Sequence, residues 1–127
     1  MRVLIADDSA LIRDGLRNVL PQHGIELTDA VATAPALLES IARQPPDVAL
    51  IDIRMPPTYT SEGIEAAIAA RERFPRVGVL VLSQYVDPDY AMSLIRTHPT
   101  GCGYVLKDRI TKIDTLIEAI RRVHDGQ

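Results

Sequence analysis

Five short apolar runs, each separated from the next by an amphipathic stretch, restrict this chain to very few folds. The runs are RVLIA (Arg2–Ala6), IELTDAVA (Ile25–Ala32), DVALIDI (Asp47–Ile53), RVGVLVLS (Arg76–Ser83) and GCGYVLK (Gly101–Lys107). Several are continuous rather than alternating, which marks strands covered on both faces of a parallel sheet. Between them lie helical stripes: Leu11, Ile12, Leu16, Val19 and Leu20 in one, and Ile113, Leu116, Ile117, Ile120 and Val123 in another. Start and stop signals fall in step. Ser9 caps the first helix, which Pro21 and Gly24 close. Thr33 with Pro35 opens the second, and Pro45-Pro46 ends it. Ser61-Glu62-Gly63-Ile64 leads into a third that finishes before Pro75. Asp87-Pro88 begins the fourth, and His98-Pro99 stops it. Asp108 or Thr111 opens the fifth, which runs to about Asp125.

Strands alternating with helices of this length imply right-handed crossovers, with helices on both faces of one sheet. The expected fold is α/β: a doubly wound, five-stranded parallel sheet, (βα)₅ and flavodoxin-like, in strand order 2-1-3-4-5. One domain over residues 1–127 suffices, because a chain of 127 residues buries enough surface to need no staple. With no Trp and one Phe, its core must be built from Val, Leu, Ile and Ala. The net charge of −3, without a basic run, makes the chain a poor nucleic-acid binder by itself. One cysteine, Cys102, excludes an internal disulfide framework and fits a reducing cytoplasm. Met1-Arg2 enters the first strand directly, without the layout of a secretory signal. No apolar run approaches the ~20 residues that cross a bilayer.

In strand order 2-1-3-4-5 the winding reverses between the first and third strands, and ligands bind just beyond the carboxyl ends at that reversal. Asp7 and Asp8 follow the first strand, and Asp52 closes the third. Three carboxylates therefore converge on one crevice, which is costly unless a cation offsets the repulsion. Mg²⁺ is the expected cation, since it prefers oxygen ligands and needs only one or two carboxylates. Ser83, from the end of the fourth strand, adds a hydroxyl to the same crevice. Lys107, from the end of the fifth, adds a positive charge. Acids, a metal, a hydroxyl and an ammonium suit a phosphoryl group, whose transfer depends on positioning and charge neutralisation.

Asp7-Asp8, Asp52 in DVALIDIRMP, Ser83 in LVLSQY, and Tyr104 with Lys107 in GYVLKD stand in order, each at or near a strand end. In this the whole chain resembles the receiver domain of two-component response regulators. The resemblance implies a phosphorylation-activated signalling switch rather than an ordinary enzyme. Asp52 would accept a phosphoryl group from a sensor histidine kinase. Asp8, Asp52 and the backbone carbonyl of Arg54 would ligate Mg²⁺, with Asp7 acting largely through a bound water. Lys107 would pair with the phosphoryl oxygens, Ser83 would turn towards them, and Tyr104 would rotate inward as the switch. GYVLKD and the overall spacing are most similar to the NarL/LuxR-type subfamily. That implies a cytoplasmic regulator, a homodimer on activation, and transcriptional control through a DNA-binding domain outside this chain. Two stretches depart from the usual pattern: the long loop Pro56–Glu62, and Arg96–Thr100 in place of an Ala/Gly-rich segment.

Each residue also has a plainer reading. Asp7-Asp8 alone would be a helix-entry charge pair, Ser83 a strand terminator, Lys107 a surface charge and Tyr104 β-favouring packing. Three other functions compete. A phosphatase of the haloacid dehalogenase type needs a second Asp two residues after its nucleophile, where this chain has Arg54. A flavin-binding module needs a Ser/Thr/Gly-rich phosphate loop where this chain places Asp7-Asp8. A receiver that acts by protein binding alone, without phosphorylation, would share the fold. His23, His98 and His124 have no metal-binding spacing, and Cys102 is expected to be a small buried residue.

Overall fold

A computed structural model describes residues 1–52, 62–83, 101–106 and 113–125. Its elements run β1 (Arg2–Ala6), α1 (Ala10–Val19), a 3₁₀ turn (Leu20–His23), β2 (Glu26–Val31), α2 (Ala34–Arg43), β3 (Val48–Asp52), α3 (Glu62–Arg73), β4 (Gly78–Ser83), β5 (Cys102–Leu106) and α4 (Ile113–His124). The last helix is the fifth one expected from the sequence. The expected fourth helix, between Asp87 and His98, lies outside the described residues, as do Arg54 and Lys107.

The strands form one parallel sheet in the order β2-β1-β3-β4-β5, as expected. Because both faces are covered, the alternation of side chains produces two cores rather than one buried and one wet face. Leu4, Ala6, Ala49, Ile51, Val79 and Val81 pack with residues of α2 and α3. Val3, Ile5, Val48, Leu50, Leu80 and Leu82 pack with residues of α1 and α4. Leu50 is fully buried in the central strand, a burial worth about 1.5–3 kcal/mol. Among the described side chains of α3, Ala66, Ala67 and Ala70 are buried, and such small side chains let a helix lie close to the sheet.

Where they fall on described residues, the expected boundaries hold to within about two residues. Ser9 caps α1, its Oγ accepting from Ile12 N at 3.3 Å. Thr33 caps α2 in the same way through Ala36 N. After Val19 the chain tightens into the 3₁₀ turn around Pro21. It leaves through Gly24 at φ 75°, a left-handed conformation in which a side chain would be strained. The first helical stripe needs one correction. Leu11 is 84% exposed, because the core-facing row of α1 runs Ile12, Leu16, Leu20 at spacings of four, and Leu11 sits a hundred degrees off it. The second stripe holds, with Leu116, Ile117, Ile120 and Val123 buried. Cys102 is buried and free, as expected. Among the described residues, no helix is long and apolar enough to cross a membrane.

A candidate acidic metal and phosphoryl site

The register of β1 against β3 builds the site. Ala6 pairs with Ile51, so the next residue on each strand, Asp7 and Asp52, emerges at the same level on neighbouring strands. Parallel strands lie about 4.8 Å apart. Asp7, Asp8 and Asp52 each offer a carboxylate oxygen, and these oxygens all lie within 4.8 Å of one another. Asp7 is completely buried and Asp52 is 4% exposed, whereas Asp8 opens to solvent. At this separation the two buried charges repel by about 3–4 kcal/mol at an effective dielectric near 20.

Asp7 is held from several directions. Its backbone N donates to Val31 O at 2.9 Å, continuing the β1–β2 ladder by one bond. Its Oδ1 accepts from Ser9 N at 2.8 Å, the short-range bond by which an aspartate brackets a turn. Its carbonyl accepts from the Arg13 guanidinium, Nη1 to O, at 2.6 Å. The first turn of α1 therefore grows directly out of the acidic cluster. Its N-terminal end carries the positive pole of the helix dipole, which favours the carboxylates beside it.

The structure brings Asp7, Asp8 and Asp52 together as expected from the strand order. Ser83 closes β4, with Leu82 paired to Asp52 and Ser83 paired to Leu106. This sets the Ser83 backbone at the same carboxyl edge as the acids. Tyr104 lies within β5, paired with Val81. Of these two residues the backbone alone is described. The residue that sequence reasoning passed over is Arg13. An arginine four positions after a helix cap was the available signal, but it does not say which way a long side chain will turn.

The donor set suits a hard cation. Among the described residues it consists of carboxylate oxygens from Asp7, Asp8 and Asp52, the first and last of these residues buried, held close enough to share one ion. Zinc and the softer metals would draw on histidine or cysteine as well. Mg²⁺ is satisfied by one or two carboxylates and retained waters, and the open side at Asp8 leaves room for these.

Fold and site together define a doubly wound α/β domain with an acidic cluster at its switch point. The chain belongs to the response regulator receiver domain family, whose sequence pattern matches residues 3–121. It is a signalling domain, not a conventional enzyme. The oxygen regulatory protein NreC of Staphylococcus carnosus is 32% identical over 127 residues, a match covering 99% of this chain and 56% of that protein. The chain thus spans little more than half the length of this relative. Among solved structures, a LuxR-family DNA-binding response regulator from Staphylococcus aureus superposes with a TM-score of 0.81 at 24% identity, covering 97% of this chain and 98% of that one. The response regulator domain of Thermotoga maritima CheB gives 0.82 at 23% identity, covering 100% and 98%. Both show the shared fold.

Proposed function

We propose that this chain is a phosphorylation-activated switch of a two-component system, in which Asp52 takes a phosphoryl group from a sensor histidine kinase. The observation that carries this reading is the convergence of Asp7, Asp8 and Asp52 within 4.8 Å at the switch point of the sheet. In the proposed step, an Asp52 carboxylate oxygen attacks the phosphorus of a phosphohistidine. The P–N bond breaks as the new P–O bond forms, and the electron pair returns to the imidazole nitrogen, which takes up a proton. The product is an aspartyl phosphate on Asp52.

In this reading Asp8, Asp52 and the Arg54 carbonyl would hold Mg²⁺, and Asp7 would act through a bound water. When bound, the ion neutralises the charge that gathers on the phosphoryl oxygens. The chain's own residues do the rest. Asp52, 4% exposed, presents its nucleophile from a rigid central strand, which limits the geometries open to the incoming phosphorus. Lys107 pairs with a phosphoryl oxygen. Ser83 turns towards another, and Tyr104 follows it inward, so that a local change of charge becomes a change in the face made by the expected helix between Asp87 and His98, β5 and α4. Activation then favours a homodimer. The output is transcription, through a DNA-binding domain outside this chain, in a cytoplasmic protein. The LuxR-family name of one structural neighbour and the length of the NreC relative support that output.

Incubation with acetyl phosphate or beryllium fluoride, with and without Mg²⁺, tests the reading. The expected result is a Mg²⁺-dependent mass gain or spectral change that disappears in Asp52→Ala. A change that persists in Asp52→Ala, or no change in the wild type, would end it.

A further inference from the structure

The carbonyl of Asp7 lies just past the last ladder pair of β1, in a fully buried residue. A buried carbonyl without a partner is destabilising, and here the partner is Arg13, whose Nη1 donates to it at 2.6 Å. Helix geometry explains how an arginine six residues downstream reaches back. Arg13 N donates to Ser9 O at 3.1 Å, which fixes its Cα one turn into α1. Side chains on a helix lean towards its N-terminus, and from this position that direction is the acidic cluster.

By charge alone this arrangement is unfavourable for a cation site, because a guanidinium beside it repels the incoming ion. What the bond supplies is geometry. A peptide unit is planar, so holding the Asp7 carbonyl also holds the Asp8 N–H and Cα that share its plane. We propose that Arg13 is a positioning residue for the divalent cation: it sets the Asp7–Asp8 peptide, and so the direction from which the Asp8 carboxylate enters the cluster. The inference rests on the reading that the cluster binds Mg²⁺. Its sign separates the two roles of the side chain. If charge were all that mattered, removing Arg13 would tighten Mg²⁺ binding; if positioning matters more, removing it weakens binding.

Calorimetric titration of the metal-free chain with Mg²⁺, in wild type and Arg13→Ala, decides between them. Thermal unfolding without Mg²⁺ checks that the variant is folded. The expected result is binding about tenfold weaker in Arg13→Ala, the lower end of the effect of groups that orient metal ligands. Equal or tighter binding by the folded variant would overturn the inference while leaving the proposed function standing. Absence of Mg²⁺ binding in the wild type would remove both. If Arg13→Ala does not fold, Arg13→Gln gives the same decision, since it is also neutral and too short to span the gap: weaker binding supports positioning, and equal or tighter binding overturns it.

Discussion

The two ends of the sheet handle charge in opposite ways. At the amino ends of the strands, polar groups are tied to backbone. Arg2 N donates to Asp47 Oδ2 at 2.7 Å; Asp47 N donates to Arg2 O, and Gly78 N to Asp47 O. The Arg71 guanidinium donates to Pro75 O and Val77 O at 2.9 and 2.7 Å. It also lies against Gly101, at φ 74°, where an added Cβ would meet it at about 3.1 Å. At the carboxyl ends, like charges are instead crowded together. One rim joins the strands to one another; the other gathers three carboxylates within reach of one cation. A domain can hold acidic groups that close only if the rest of the fold fixes the geometry.

The largest effect that would sharpen this contrast belongs to the stable end. A Cβ at Gly78 would meet Val123 Cγ1 at 2.7 Å and the Val123 carbonyl at 3.2 Å. Gly78→Ala should therefore cost about 2–3 kcal/mol in urea unfolding, with Mg²⁺ affinity unchanged. Next comes Arg71→Ala, which leaves carbonyls of the β4 approach without their donor and should cost about 1–3 kcal/mol. If either change abolished Mg²⁺ binding in a folded protein, the two rims would not be independent.

At the acidic end the expected effect is on binding. Asp7→Asn keeps an oxygen for Ser9 N but removes one charge from the cluster. In wild type, Mg²⁺ at ten times its Kd should add about 1.4 kcal/mol, a gain that Asp7→Asn should largely lose. An undiminished Mg²⁺ gain in Asp7→Asn would break the comparison.

The smallest effect concerns Cys102. Burial pushes its thiol up, and this outweighs the lowering by nearby Arg71. A raised value means that the folded state favours the protonated thiol. Its contribution to stability is complete below the ordinary thiol range and is lost as pH rises through the folded value. Unfolding at neutral and at strongly alkaline pH should differ slightly more in wild type than in Cys102→Ala. Alkylation of Cys102 should also be much slower in the folded than in the urea-unfolded chain.

What was legible in the sequence follows from what is local. The strands and both helix caps could be read because hydrophobic runs and cap residues act over a few positions. Their alternation gave a doubly wound sheet, and the order common to five-stranded sheets of that kind brought Asp7, Asp8 and Asp52 together. Leu11 was misplaced because two adjacent leucine-like residues, Leu11 and Ile12, fit a helical stripe equally well until the core selects one. Arg13 and Arg71 were passed over for another reason. Long flexible side chains take partners set by tertiary geometry, and no spacing rule reports where a guanidinium will land.

The level ending of β1 and β3, with Ala6 opposite Ile51, implies an unequal tolerance to genetic change. Exchanging one aliphatic residue for another in either strand leaves both acids where they are. Deleting or adding a single codon there turns the following carboxylate to the opposite side of the sheet. Viable descendants of this sequence should therefore differ freely in the letters of these two strands and hardly at all in their length.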